Sequence, residues 1–182
     1  MHCLRAALML VVAVTPASVN AQFGKTEPAA VSRPQATSAA YADWALNCQQ
    51  IRLASGEERR ACEVIHTIQV QGAKDPIAQV AVGRALKNGP LSVTLLLPVN
   101  IALDKQVRVF AEEKGGAPSE FAWRKCMPGG CFADVAASAD TLKRWRAGKR
   151  GRIELRNAAG QDLEIPFSLA GFGFALDALP TD

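Results

Sequence analysis

The sequence predicts an all-β domain: a two-sheet antiparallel β-sandwich with one short helix and two disulfides. Apolar and polar residues alternate with period two in about nine short segments, the signature of half-buried strands. Those segments follow one another at about 8–12 residues, with turn residues between them, which is the rhythm of a sandwich. No strand–helix–strand repeat appears, so a parallel sheet is not expected.

Taken in order, Trp44, Leu46 and Cys48 share one face of a first strand, and Ser55–Arg60 reads as a charged, hairpin-like loop. Cys62, Val64, His66, Ile68 and Val70 then share one face of a second strand, which Lys74-Asp75-Pro76 breaks. A third strand runs from Ile77 to Ala85, and Asn88-Gly89-Pro90 turns the chain. Leu91, Val93, Leu95 and Leu97 form the inner face of a fourth, ended by Pro98, and Val107 and Val109 mark a fifth. After a loop at Glu112–Pro118, Phe121 with Trp123 and Phe132 to Val135 form two more strands. One helix follows, with Ser138 or Asp140 as N-cap, Leu142 and Trp145 pointing inward and Gly148 as the C-cap glycine. Ile153 with Leu155, and Leu163 with Ile165 and Phe167, mark the last two strands. Ala158-Ala159-Gly160 between them suits a three-residue hairpin loop. That register sets Arg156 opposite Asp162, which is favourable, and Glu154 opposite Glu164, which is not.

The chain opens with Arg5 ahead of an unbroken apolar run, Ala6 to Val14, and Val19-Asn20-Ala21 then offers small residues to a signal peptidase. Residues 1–21 are therefore expected to be a cleaved signal peptide, which takes Cys3 with it. Residues 22–40, small, polar and proline-containing, read as a flexible linker, with the domain at 41–182. Cleavage removes one cation and no acid, leaving 20 basic and 17 acidic residues. That mild excess does not predict nucleic-acid binding.

The four remaining cysteines, Cys48, Cys62, Cys126 and Cys131, read as a disulfide framework with three open connectivities. The local pairs Cys48–Cys62 and Cys126–Cys131 are favoured, because Pro128-Gly129 suits the two central positions of a type II turn. Zinc ligation is disfavoured, since His66 is the only histidine beyond residue 21.

Several of these residues carry a resemblance. Trp44-Ala45-Leu46-Asn47-Cys48, then Cys62, then Gly89-Pro90-Leu91 leading to Pro98, are similar in order and spacing to the invasion-associated locus B family. So are Arg124-Lys125-Cys126-Met127-Pro128-Gly129-Gly130-Cys131-Phe132-Ala133, and Gly171-Phe172 with Ala175-Leu176. The resemblance spans about Tyr41 to Leu179. It implies an exported protein of Gram-negative bacteria with an immunoglobulin-like β-sandwich. The four cysteines would be disulfide partners and Trp44 their buried neighbour. The family name implies a role in entry into host cells and brings no catalytic residues.

His66 lies on the apolar face of its strand and is expected to be a hydrogen-bonded core residue. No catalytic residue, metal site or cofactor is expected: the chain has no Gly-x-Ser-x-Gly elbow and no Gly-rich phosphate loop, and Glu57-Glu58 reads as solvated surface. The unusual feature is charge. Lys143, Arg144, Arg146, Lys149, Arg150, Arg152 and Arg156 stand against one acid, Glu154, with Trp145 among them. They form either a patch for an anionic partner (lipid headgroups, polysaccharide or an acidic protein) or an ordinary solvated face. The apolar run Phe172–Leu176 is expected to close the sandwich as a short helix or turn, the alternative being an exposed docking site. The function expected is that of a non-enzymatic envelope protein, periplasmic, secreted or associated with the outer membrane, that binds a macromolecular partner through loops or the basic patch. The alternative is a thiol-active factor or an envelope enzyme.

Overall fold

The computed structural model describes residues 34–86, 88–111 and 116–181. The expected signal peptide 1–21, the linker residues 22–33 and part of the 112–118 loop lie outside the described residues. The elements run β1 (Ala36–Tyr41), β2 (Trp44–Arg52), β3 (Glu58–Ile68), β4 (Ala78–Arg84) and β5 (Leu91–Leu97). They continue with β6 (Val107–Phe110), β7 (Ser119–Met127), β8 (Gly130–Ala136), α1 (Ala139–Ala147), β9 (Arg150–Arg156), β10 (Asp162–Ser168) and α2 (Phe172–Asp177).

All ten strands join one antiparallel ladder in the order β1-β2-β3-β4-β5-β8-β7-β6-β9-β10. The ladder changes direction within β7. Ser119 to Phe121 pair with β6, whereas Ala122 onward pairs with β8, with a register shift between Trp123 and Lys125. An irregularity of this kind bends a strand and lets one sheet curl into two layers. Trp44 of β2 and Ser168 of β10 stand near opposite ends of the strand order, yet the indole Nε1 donates to the Ser168 carbonyl at 3.1 Å. The sheet therefore closes over itself as a sandwich.

Between the layers lie the inward residues of each strand. Val64, Val80, Val82, Val93, Leu95 and Ala133 face Val107, Val109, Phe121 and Ile153, all at most 1% exposed. Each large side chain so buried stabilises the fold by roughly 1.5–3 kcal/mol. Trp145 of α1 and Phe172 of α2 plug one end.

Several sequence expectations need correction. The ladder starts at Ala36 rather than Tyr41, because ATSAAY has no apolar alternation and is held by its backbone pairing to β2. Arg59 and Arg60 belong to β3 rather than to the loop, and Val70 lies beyond β3, 51% exposed. The described residues form two helices, not one. In α1, Ser138 caps the N-terminus by accepting from Thr141 N, and the buried residues are Thr141 and Trp145, with Leu142 half-buried. Gly148 is the C-cap of α1, its N–H donating to Arg144 O at 2.9 Å, but it is extended (φ −74°, ψ 155°) rather than left-handed, and a Cβ there would meet Ala111 O at 2.6 Å and Leu169 Cδ1 at 2.8 Å. Close approach, not conformation, demands that glycine. The β7–β8 turn is not type II, since the positive φ falls on Gly130 (143°), where a Cβ would meet Leu97 O at 2.7 Å. The β9–β10 loop follows the expected form, with Asn157 N donating to Gln161 O at 2.9 Å and Gly160 at φ 81°. Glu154 does stand opposite Glu164, and Arg152 compensates: its Nε lies 3.0 Å from Glu154 and 3.5 Å from Glu164. Arg108 takes the other Glu154 oxygen at 2.6 Å.

Gly148→Ala should lower stability by about 1–3 kcal/mol through overpacking. Gly129→Ala, with open space around it and no positive φ, should change it by less than about 0.5 kcal/mol. Urea unfolding midpoints of the two variants check both.

Candidate functional site

Beside the aromatic plug, His66 is 9% exposed. Its Nδ1 lies 2.7 Å from the Asp43 carbonyl, and its Nε2 accepts from Ser168 N at 3.3 Å. With one nitrogen facing an acceptor and the other a donor, the ring is the neutral tautomer carrying its proton on Nδ1. The Trp44 ring packs on His66 at 5.5 Å and edge-on to Phe172 at 4.9 Å. His66 is thus a bonded core residue, with both nitrogens occupied by main chain.

The structure joins Cys48 to Cys62 and Cys126 to Cys131, each pair directly opposite in register within a hairpin. On the chain-entropy estimate such staples contribute about 3 and about 2 kcal/mol. Among the described residues, no group of three or more His, Cys, Asp and Glu is placed to hold a metal ion.

Over the first layer, a row of outward residues crosses five strands: Ser38, Asn47, Glu63, Gly83, Ser92. Small neighbours such as Ala36, Ala61 and Ala85 leave a hollow of about 670 Å³ around it. Glu63 pairs with no described cation, and although the residue is exposed, desolvation pushes its carboxyl above the ordinary glutamate value. The outer face of the second layer is instead an ion-pair mosaic that includes Arg108–Glu154 and Arg156–Asp162.

The seven-cation run does not come together as one patch. Arg150, Arg152 and Arg156 lie on β9. Arg152 is paired with the two glutamates and stacked 4.0 Å over Phe110, Arg156 is paired with Asp162, and Arg150 is also engaged. On α1, Arg146 bridges to α2, donating to Gly173 O at 3.2 Å and to Asp177 Oδ1 at 2.7 Å. That bond, assisted by charge, holds the Asp177 carboxyl below its ordinary value. Lys143, Arg144 and Lys149 pair with no acid among the described residues, and Trp145 is in the core. The Phe172–Leu176 run does close the sandwich as a helix, yet sequence reasoning did not separate Phe174 from it, and that side chain is 76% exposed beside Arg146. The signal was the helical spacing of Phe172, Ala175, Leu176 and Leu179, which are buried and leave residue 174 outside.

The description "Invasion associated locus B (IalB) protein" matches residues 44–180, a span that holds both disulfides, the Trp44–His66 pair and both helices. The chain belongs to the invasion associated locus B family. It is similar to the crystal structure of invasion associated protein B from Bartonella henselae, at 24% identity and a TM-score of 0.65. The likeness covers 78% of this chain and 92% of that one and shows a shared fold. No curated protein matches the chain.

Glu63→Gln gives a pH test of this family member's open face. A carboxyl whose folded pKa lies above its unfolded value stabilises the fold only while protonated, and that contribution is lost as pH rises through the raised value. The glutamine variant should therefore be more stable at neutral pH, by up to about 1 kcal/mol because solvent still reaches the residue. The gain should vanish below the ordinary glutamate range, as followed by urea midpoints across pH.

Proposed function

We propose that this protein is an exported, non-enzymatic component of the bacterial envelope that binds an anionic macromolecular partner through the basic surface of α1 and the loop after it. The carrying observation is that Lys143, Arg144 and Lys149 project without acidic partners among the described residues, while the other cations of the run are engaged. A cluster of unneutralised cations on a rigid element attracts and orients an anionic partner. The scaffold suits such work, because a disulfide-stapled sandwich holds its surface fixed. Two disulfides also fit a compartment outside the cytoplasm, with residues 1–21 as the export signal. No described helix is long and apolar enough to cross a membrane. The similarity to an invasion associated protein supports a role at the surface met by a host cell, among the places where an exported anion-binding protein would act.

Replacing Lys143, Arg144 and Lys149 together by Glu should cut retention on dextran sulfate, a soluble polyanion, by at least about tenfold at low salt. The melting temperature should hardly move, since no described ion pair is lost. Retention equal to that of the unaltered protein contradicts the proposal.

A further inference from the structure

We infer that α1 and α2 together dock on an anionic phospholipid surface, with Phe174 as the side chain that enters it. This rests on the reading above that the basic surface meets an anionic partner, and it commits that partner to a lipid surface.

Phe174 is 76% exposed, more than any other large apolar side chain described. Its position is enforced. Phe172 (0%), Ala175 (0%) and Leu176 (7%) lock the other face of α2 into the core. The Phe172 ring lies edge-on to Trp44 at 4.9 Å and to Trp145 at 5.4 Å. The helix cannot roll to hide Phe174 without pulling Phe172 out of the plug. An aromatic ring held in water in this way gains free energy when something apolar covers it.

Its surroundings say what covers it. The Arg146 guanidinium bonds Gly173 O and Asp177 Oδ1, so it flanks Phe174 and neutralises the acid that shares its helix face. Lys143 stands one turn before Arg146 on the same side of α1. The Lys149 carbonyl accepts from Leu169 N at 3.0 Å, which puts Lys149 beside the chain entering α2. Asp43 is a further exposed acid at this end, its N–H donating to Ala170 O at 3.3 Å, and Asp140 lies at the far end of α1. The balance around the ring is therefore positive. An aromatic side chain flanked by Arg146, with Lys143 and Lys149 on the adjoining α1 and loop, matches a bilayer interface, where the ring reaches the acyl boundary and the cationic groups stay at phosphate level. A soluble polyanion could satisfy the cations but offers the ring nothing.

The protein recovered from its export compartment, disulfides intact, is mixed with phosphatidylcholine vesicles with and without phosphatidylglycerol and sedimented. Binding is expected only with phosphatidylglycerol, and Phe174→Ser should weaken it roughly tenfold. Retention of Phe174→Ser on dextran sulfate should be unchanged. Phe174→Trp should bind as the unaltered protein does and gain fluorescence that brominated lipids quench. Equal vesicle binding by the Phe174→Ser variant, or absence of vesicle binding while dextran sulfate still binds, overturns the lipid assignment and leaves the anionic-partner reading standing. Loss of both kinds of binding in the unaltered protein overturns both.

Discussion

Ser168 ends β10, and both of its main-chain polar groups are taken by side chains from the other end of the strand order. The Trp44 indole donates to its carbonyl, and the His66 imidazole accepts from its N–H. A ten-stranded antiparallel ladder has two edges, and nothing in strand pairing alone makes those edges meet. Here two aromatic side chains do the work of a further strand. Leaving either Ser168 group buried and unbonded would cost about 1–3 kcal/mol. His66 can accept only as the neutral tautomer, and the Asp43 carbonyl at 2.7 Å from Nδ1 selects that tautomer. The clasp therefore reaches from β10 through His66 to the turn between β1 and β2.

The rest of the architecture follows from that closure. Once β10 lies over β2 and β3, the Trp145 ring gathers those of Trp44, Phe167 and Phe172 at 5.4–6.4 Å, with Trp44 and Phe172 4.9 Å apart, and together they plug the end. The plug fixes α2, and α2 in turn presents Phe174 outward against Arg146. The cross-strand disulfides stiffen the two hairpins β2–β3 and β7–β8. The surface to which we assign function is thus positioned by buried contacts some distance away.

Much of this was legible in the sequence, for physical reasons that can be named. Period-two alternation exposed β2 to β10, since each buries one face, and the hairpin glycine at Gly160 fixed the β9–β10 register. β1 was hidden because all but its last residue are exposed and only its ladder holds it. The second helix was half-visible: its apolar run was noticed, but that Phe172 turns in and Phe174 out depends on which side meets the plug. Gly148 is legible as the C-cap of α1, but the sequence does not show the Ala111 carbonyl at its back, which is what demands glycine there. The basic run misled most. Linear clustering cannot tell that alternate β9 residues meet Glu154, Glu164 and Asp162 while Lys143, Arg144 and Lys149 meet no acid among the described residues.

Native-state hydrogen exchange at the Ser168 amide tests the clasp most directly. If closure depends on it, this amide is slow to exchange in the unaltered protein. In His66→Leu it should then exchange at least about tenfold faster relative to the amides of Ile153 and Leu155 on β9. Unchanged relative protection of Ser168 in that variant would contradict the claim that side chains, rather than the ladder alone, hold the sandwich shut.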